Sequence, residues 1–140
     1  MDQAAIFLPM CALVAWTFAV LLLIPLARFR AAARGKVNAG DFRFGESTRV
    51  PGEVSLPNRN IMNLLELPVL YYVVCLALYI ALSVDALAVA LAWLYVVLRV
   101  AHSLVHLTYN NVFHRLSVYA ASSLVLAALW IRFAAALLQR

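Results

Sequence analysis

Residues 4–27 read AAIFLPMCALVAWTFAVLLLIPLA, a run that contains no charged side chain. A helix rises about 1.5 Å per residue, so a helix over this run is long enough to cross the roughly 30 Å hydrocarbon core of a bilayer. The run is too long for the apolar part of a signal peptide, has no basic residue before it and is followed by arginines. We therefore predict a first membrane-spanning helix over about residues 4–28.

The composition of the whole chain also indicates a membrane protein. Of its 140 residues, 66% are hydrophobic and 12% are charged, whereas a soluble domain is typically about half apolar and a quarter charged. The net charge of +5 could suit a nucleic-acid partner. The basic residues lie beside apolar segments, however, where membrane topology and anionic lipid headgroups explain them better. We expect an integral membrane protein that binds no nucleic acid.

Three further apolar segments follow the first, and each is long enough to span a bilayer. We predict helices over about residues 60–84, 86–108 and 112–138. Together with the first helix they form one all-α domain over residues 1–140, a bundle of four transmembrane helices. Residues 108–111 match no functional motif, and we predict a turn there with Asn111 as the N-cap of the last helix.

The connection between the first two helices, residues 29–59, carries more than half of the arginines and lysines. Its glycines and prolines predict an irregular loop. Cytoplasmic loops carry an excess of basic residues, so this loop is expected to be cytoplasmic and both termini are expected to lie outside. We expect the protein to reside in a bacterial inner membrane.

Polar residues recur at helical spacing on three of the predicted helices. A helix turns about 100° per residue, so residues three, four or seven positions apart share a face. The resulting stripes are Arg59, Asn63 and Glu66 on the second helix, Arg99, His102 and His106 on the third, and Arg115 and Tyr119 on the fourth. All of them lie toward the cytoplasmic end, which predicts a hydrated, cation-rich cavity that attracts an anionic ligand.

Glu66 and Arg99 are opposite charges at similar depth in adjacent predicted helices. An unpaired charge in the membrane interior costs at least about 2.5 kcal/mol, so we predict a buried Glu66–Arg99 ion pair. Such a pair can serve only to fasten helices together. The further polar side chains at the same end favour a binding cavity instead.

The histidines and cysteines suggest other chemistries, which the sequence supports less well. His102 and His106, with His114 nearby, could ligate a metal, but the neighbouring arginines would repel a cation, and we predict no metal site. Cys11 and Cys75 stand alone in apolar runs and are expected to be small buried hydrophobes. Arginine and tyrosine donors suit a thiolate ligand better, because a thiol with a pKa of about 8.5 is mostly protonated at neutral pH.

The three stripes also resemble a known family. Arg59-x-x-x-Asn63-x-x-Glu66, Arg99-Val-Ala-His102 and Arg115-x-x-x-Tyr119 are similar in order and spacing to motifs of the MAPEG family, the membrane-associated proteins in eicosanoid and glutathione metabolism. The resemblance covers nearly the whole chain. It implies a homotrimer of four-helix protomers that binds glutathione, as co-substrate, at each subunit interface. The implied activity is transfer of the glutathione thiolate to hydrophobic electrophiles or reduction of lipid hydroperoxides.

The resemblance assigns roles to individual residues. The residues implied to bind the polar groups of glutathione are Arg30 (or Arg28), Asn63, Glu66, His102 and His106. Arg115 would stabilise the thiolate, Tyr119 would donate a hydrogen bond at the thiol, and Arg99 would brace Glu66. Arg115 and Tyr119 are thus the implied catalytic residues.

Three positions depart from the prostaglandin E synthase branch of that family. Met62 replaces a basic residue, His106 replaces a tyrosine, and Leu116 replaces a small hydroxyl residue. These departures argue against prostaglandin synthesis. They leave a second interpretation, in which a non-catalytic protein of the same fold binds a lipid or another anionic ligand and regulates a partner. A channel or transporter fits less well, because no symmetric ring of acids or inverted repeat is visible.

Overall fold

The structure is a computed structural model that describes residues 2–138. Within these residues all regular structure is helical, with no β-strand. The α-helices are α1 (Phe7–Ala33), α2 (Gly52–Leu65), α3 (Leu67–Ile80), α4 (Ala86–Leu107) and α5 (Val112–Leu138). Short 3-10 helices cover Gln3–Ile6 and Ala39–Phe42. Because α2 and α3 form one span, Gly52–Ile80, the described residues contain four helices long and apolar enough to cross a membrane. The predicted all-α membrane fold is confirmed; residues 1, 139 and 140 of the predicted domain lie outside the described residues.

Helix α1 is longer than predicted, since it ends at Ala33 and not near residue 28. Alanine has the highest helix propensity, and residues 31–33 are all alanine, so the helix continues past its arginines. It ends where Gly35 takes a φ of +67°, a left-handed conformation that glycine adopts without steric cost. The N–H of Lys36 then donates to the carbonyl of Ala31 at 3.0 Å and closes the helix end.

The second span begins at Gly52, eight residues before the predicted start at residue 60. Pro51 and Gly52 stand at the helix start, where a missing N–H and a flexible residue are tolerated, so they do not break it. The predicted loop 29–59 therefore shrinks to residues 34–51. This loop is ordered: the side chain of Asp41 accepts hydrogen bonds from the N–H of Asn38 at 2.8 Å and the hydroxyl of Ser47 at 2.9 Å. These bonds hold the pKa of Asp41 below its usual range.

A break between α2 and α3 interrupts the second span at Glu66, whose backbone has φ −84° and ψ −96°. Pro68 follows two residues later and has no N–H to donate to the carbonyl of Leu64. The regular helical hydrogen bonds to the backbone carbonyls before Pro68 are therefore interrupted. The span ends at Ile80, four residues before the predicted end at residue 84.

Helix α4 lies at the centre of the bundle and packs against α1, α2 and α5. Its fully buried Ala88 and Ala92 have small side chains that let neighbouring helices approach closely. Cys75 is buried, as expected, but Cys11 is exposed on α1. The outer surface of the bundle carries many large apolar side chains, as expected for a surface that faces lipid or another subunit.

The end of the bundle away from the long loop is joined by polar contacts. Asp85 caps α4 by accepting a hydrogen bond from the N–H of Ala88 at 2.8 Å, and it pairs with Arg132 of α5 at 2.5 Å. The side-chain amide of Gln3 exchanges two hydrogen bonds with the backbone of Val84, at 2.9 and 3.1 Å. These contacts tie the start of α1 and the end of α5 to the connection between α3 and α4.

Candidate functional site

The central helix α4 carries a cluster of buried polar residues on one face. Arg99 is completely buried, and His102 and His106 are nearly so, with 2% and 3% of their surfaces exposed. Their spacing places them on one face of α4, toward α2 and α5. Polar side chains inside a membrane bundle need partners or water, since burying them unpaired is costly.

A cavity of about 210 Å³ opens beside this face. Its lining residues come from α2, α4 and α5: Asn63, His102, Val112, Arg115, Leu116 and Tyr119. At least one member of each predicted polar stripe is present, together with apolar side chains from the start of α5. The structure thus brings together Asn63, His102, Arg115 and Tyr119, whose roles stay predictions.

The guanidinium of Arg99 donates a hydrogen bond to the backbone carbonyl of Asn63. That carbonyl lies next to the break at Glu66, where the regular helical hydrogen bonds are interrupted. The Arg99 Cζ atom also lies 5.5 Å from the centre of the Tyr119 ring, within the range of a cation–π interaction. Arg99 therefore links α2, α4 and α5 behind the cavity.

The predicted Glu66–Arg99 ion pair is not present within the described chain. The prediction assumed that α2 continues through Glu66 without interruption, so that positions 59, 63 and 66 share one face. The break at Glu66 removes that regularity, and Glu66 is exposed while Arg99 is buried. A backbone carbonyl takes the place that the carboxylate was expected to fill.

The two histidines of α4 keep free hydrogen-bonding capacity. The His102 ring lies 5.7 Å from the Tyr119 ring and 6.0 Å from the His106 ring, measured between centroids. The Nδ1 atoms of both histidines are buried and have no hydrogen-bond partner among residues 2–138. A buried polar atom left without a partner costs about 1–3 kcal/mol, so each is suited to meet a ligand, a water or a neighbouring subunit.

Arg115 lies at the start of α5 and is half-buried at the cavity wall. Its Nη1 donates a hydrogen bond to Oδ1 of Asn110 at 2.8 Å. Asn111 caps α5, as predicted, because its Oδ1 accepts from the N–H groups of Phe113 and His114 at 3.0 and 3.1 Å. A guanidinium at this place can hold an anion through its remaining N–H groups.

Comparison with known proteins bears directly on this cavity. A family model described as the MAPEG family matches residues 6–135, which include every residue of the cavity wall. The chain belongs to the MAPEG family. That family includes glutathione transferases and related proteins, and the membership inferred from the polar stripes is confirmed. Neither the curated proteins nor the solved structures gave a match.

Four residues that the MAPEG resemblance implies as glutathione contacts do not line the cavity within one chain. Arg28 forms an ion pair with Glu46 at 3.2 Å and lies 4.3 Å over the ring of Phe42. Arg30 is exposed and lines two other cavities beside α1 and α2, of about 150 and 240 Å³. His106 and Glu66 are likewise absent from the wall of the Arg115 cavity.

Sequence reasoning missed several buried polar groups of this MAPEG chain. The hydroxyl of Ser103 donates to Oδ1 of Asn60 at 3.0 Å, and both residues are buried. Tyr71 and Tyr95 stack at a centroid distance of 4.5 Å. The helical spacing was a signal for Asn60, which precedes Asn63 by three positions in an apolar helix.

Residues 2–138 contain no group of three or more His, Cys, Asp or Glu residues that could hold a metal ion.

Proposed function

We propose that this MAPEG protein binds glutathione in the Arg115 cavity and transfers its thiolate to hydrophobic electrophiles, or uses it to reduce lipid hydroperoxides. The observation that carries the proposal is the convergence of Arg115, His102, Tyr119 and Asn63 on one cavity between the helices. The donors fit the ligand, because glutathione offers two carboxylates and a thiol to arginine, histidine, amide and hydroxyl groups.

Arg115 is proposed to favour the ionised thiol. A guanidinium close to a thiol lowers its pKa and raises the reactive thiolate fraction. In a site shielded from bulk water, the same charge acts more strongly than it would in solution. Tyr119, four residues further along α5, lines the same cavity and is proposed to donate a hydrogen bond to the sulfur.

We propose that the working unit is a homotrimer. The cavity of about 210 Å³ in one chain is smaller than the roughly 300–1,000 Å³ of small-molecule sites, so a neighbouring surface would enlarge and close it. Glu66 is exposed within a membrane span, where contact with lipid would cost about 2.5 kcal/mol or more. A neighbouring subunit that covers Glu66 would relieve this cost. The Glu66 carboxylate would then lie in a site shared by two subunits, where it could contact glutathione.

The hydrophobic co-substrate is proposed to reach the site from the bilayer. Leu116 and Val112 line the cavity and are 61% and 62% exposed on the outer surface of the chain. Apolar side chains at a cavity mouth favour lateral access for an apolar molecule over access for an ion. We further propose the inner membrane of a bacterium as the location, with the basic loop cytoplasmic and both termini outside.

Calorimetric titration of detergent-purified protein with glutathione tests the proposal. Runs in two buffers with different ionisation enthalpies would reveal a released proton. We expect the wild type to bind with proton release and Arg115→Ala to lose that release. We also expect Arg115→Ala to lower kcat by roughly 100-fold or more, a larger effect than on binding.

The matched control is Arg132→Ala, on the same helix but 17 positions, or about 25 Å, further along. This variant should bind glutathione and turn over like the wild type. No binding heat for the wild type would end the glutathione hypothesis. Wild-type kcat in Arg115→Ala would remove Arg115 from the chemistry.

A non-catalytic, lipid-binding role is the second candidate function. It is favoured by Met62 and Leu116, which are apolar and exposed at positions where the prostaglandin E synthase branch has a basic residue and a small hydroxyl residue. The ultraviolet absorbance of the thiolate distinguishes the two functions. An enzyme should raise that absorbance when glutathione is added near neutral pH, whereas a binding protein has no need to ionise the thiol.

A further inference from the structure

The turn between α4 and α5 holds an asparagine side chain against the arginine of the cavity. Oδ1 of Asn110 accepts a hydrogen bond from Nη1 of Arg115 at 2.8 Å. We propose that Asn110 is a positioning residue, which holds the Arg115 guanidinium so that its remaining N–H groups face an anion in the cavity. The proposal rests on the proposed function of Arg115.

Asn110 is itself held in place by the helix that precedes it. Its backbone N–H donates to the carbonyl of Val105 in the last turn of α4 at 2.8 Å. On the other side, Asn111 caps α5, and the N–H of Arg115 donates to the carbonyl of Asn111 at 3.0 Å. Both ends of the Asn110–Arg115 contact are therefore attached to fixed backbone, which is the condition for a preorganised site.

The backbone conformation of Asn110 restricts which residue can stand there. Its φ of +48° is left-handed, a region that few residues other than glycine and asparagine adopt readily. The neutral amide oxygen accepts one N–H of Arg115 without cancelling the positive charge. An aspartate would also accept this bond, but its charge would compete with a bound anion. A short neutral acceptor that tolerates the left-handed region satisfies both requirements.

A variant that removes the acceptor and keeps the turn is Asn110→Gly, because glycine accepts a positive φ without strain. The matched control is Tyr109→Phe, which removes the other contact across this turn, a 3.0 Å hydrogen bond between the Tyr109 hydroxyl and Nδ1 of His114. The control leaves Asn110 and Arg115 untouched. A third variant, Asn110→Asp, keeps the acceptor and adds a negative charge.

Two measurements on the full-length protein in detergent are needed. The first is turnover of glutathione with chlorodinitrobenzene, together with the apparent pKa of the bound thiol from its absorbance. The second is the rate at which phenylglyoxal, an arginine-selective reagent, modifies Arg115. Mass spectrometry measures this rate. The second measurement needs no glutathione, so it still reports on the Asn110–Arg115 contact if the proposed function fails.

We expect Asn110→Gly to lower kcat by roughly 10- to 100-fold with a smaller change in KM, to raise the apparent pKa of the bound thiol, and to speed modification of Arg115 severalfold. Asn110→Asp should weaken glutathione binding and keep Arg115 protected, and Tyr109→Phe should behave like the wild type.

Wild-type turnover or wild-type modification of Arg115 in Asn110→Gly would overturn the proposal. If the glycine variant does not fold, unchanged glutathione affinity in Asn110→Asp would overturn it. A wild type that binds no glutathione would refute the proposed function instead. The modification rates would then decide alone whether Asn110 orients Arg115 for another anion.

Discussion

Asp85 makes two separable contributions to stability at the end of the bundle opposite the cavity. It caps α4 through the N–H of Ala88 and forms an ion pair with Arg132. Asparagine caps a helix about as well as aspartate does, so Asp85→Asn removes only the ion pair. Asp85→Ala removes the ion pair and the cap together. The difference between the two variants therefore measures the cap.

The expected magnitudes follow from exposure. The side chains of Arg132 and Asp85 are 30% and 41% exposed, so solvent screens the pair and limits it to about 0.2–1 kcal/mol. Loss of an N-cap costs about 0.5–2 kcal/mol. For a chain of this size, 1 kcal/mol corresponds to roughly 3–5 °C in Tm. We expect Asp85→Asn to lower Tm by no more than about 5 °C and Asp85→Ala to lower it by roughly 2–15 °C.

The assay is thermal unfolding in detergent, at a fixed scan rate and over a range of pH. The hydrogen bond from Arg132, and then that from the N–H of Ala88, lowers the pKa of Asp85. The ion pair is therefore fully stabilising above the ordinary aspartate pKa of about 3.9, and its contribution is lost as the pH falls through the lower folded value. The Tm difference between the wild type and Asp85→Asn should stay constant near neutral pH and shrink below about pH 4.

Two results would refute this reasoning. The first is an equal loss of Tm in Asp85→Asn and Asp85→Ala, which would leave no contribution for the cap. Arg132→Gln made in the Asp85→Asn background should have no further effect, because its partner charge is already gone. A large additional loss there would mean that Arg132 stabilises the bundle through another contact.

Two further predictions concern Ser103 of α4 and Tyr119 of α5. Ser103→Ala should lower the free energy of unfolding by about 1–3 kcal/mol, because it leaves the buried Oδ1 of Asn60 without its donor. The measurement is denaturant unfolding, with Ser117→Ala, which removes an exposed hydroxyl on α5, as the control. Equal effects of the two substitutions would contradict the prediction. Tyr119→Phe keeps the ring over Arg99 and removes the hydroxyl, so it should slow turnover with little change in Tm, and unchanged turnover would exclude a role of the hydroxyl in the chemistry.

The spans of this protein were predictable because each is a long apolar run, and a bilayer requires little more. The position at which the second span starts was not predictable in this way. Pro51, Gly52 and Pro57 have the composition of a loop, yet a proline and a glycine at the first helical positions are compatible with a helix. In the structure, Val54 packs against Val37 and Val50 in a small cluster, which stabilises a helix that begins there. Such long-range contacts leave no periodic signal in the sequence.

The cavity was predictable as far as its helices are regular. Helical spacing places Asn63, His102 and Tyr119 on faces that the structure brings together. The same reasoning failed for Glu66, because it assumes an unbroken helix, although Pro68 was a visible sign of a break. Asn110 could not be found in this way, since it belongs to a turn and its contact with Arg115 depends on one left-handed residue.

The break beside Glu66 has a consequence for the order of assembly. Within residues 2–138, Nε and Nη1 of Arg99 have no hydrogen-bond partner, but the carbonyl exposed at the break and the ring of Tyr119 stabilise this buried cation within a single chain. We therefore expect the bundle to insert and fold as a monomer. Glu66 stays on the outer surface, and in the proposed homotrimer its burial would come only with association. Folding and oligomerisation would then be successive events, with the burial of Glu66, and not that of Arg99, favouring the second.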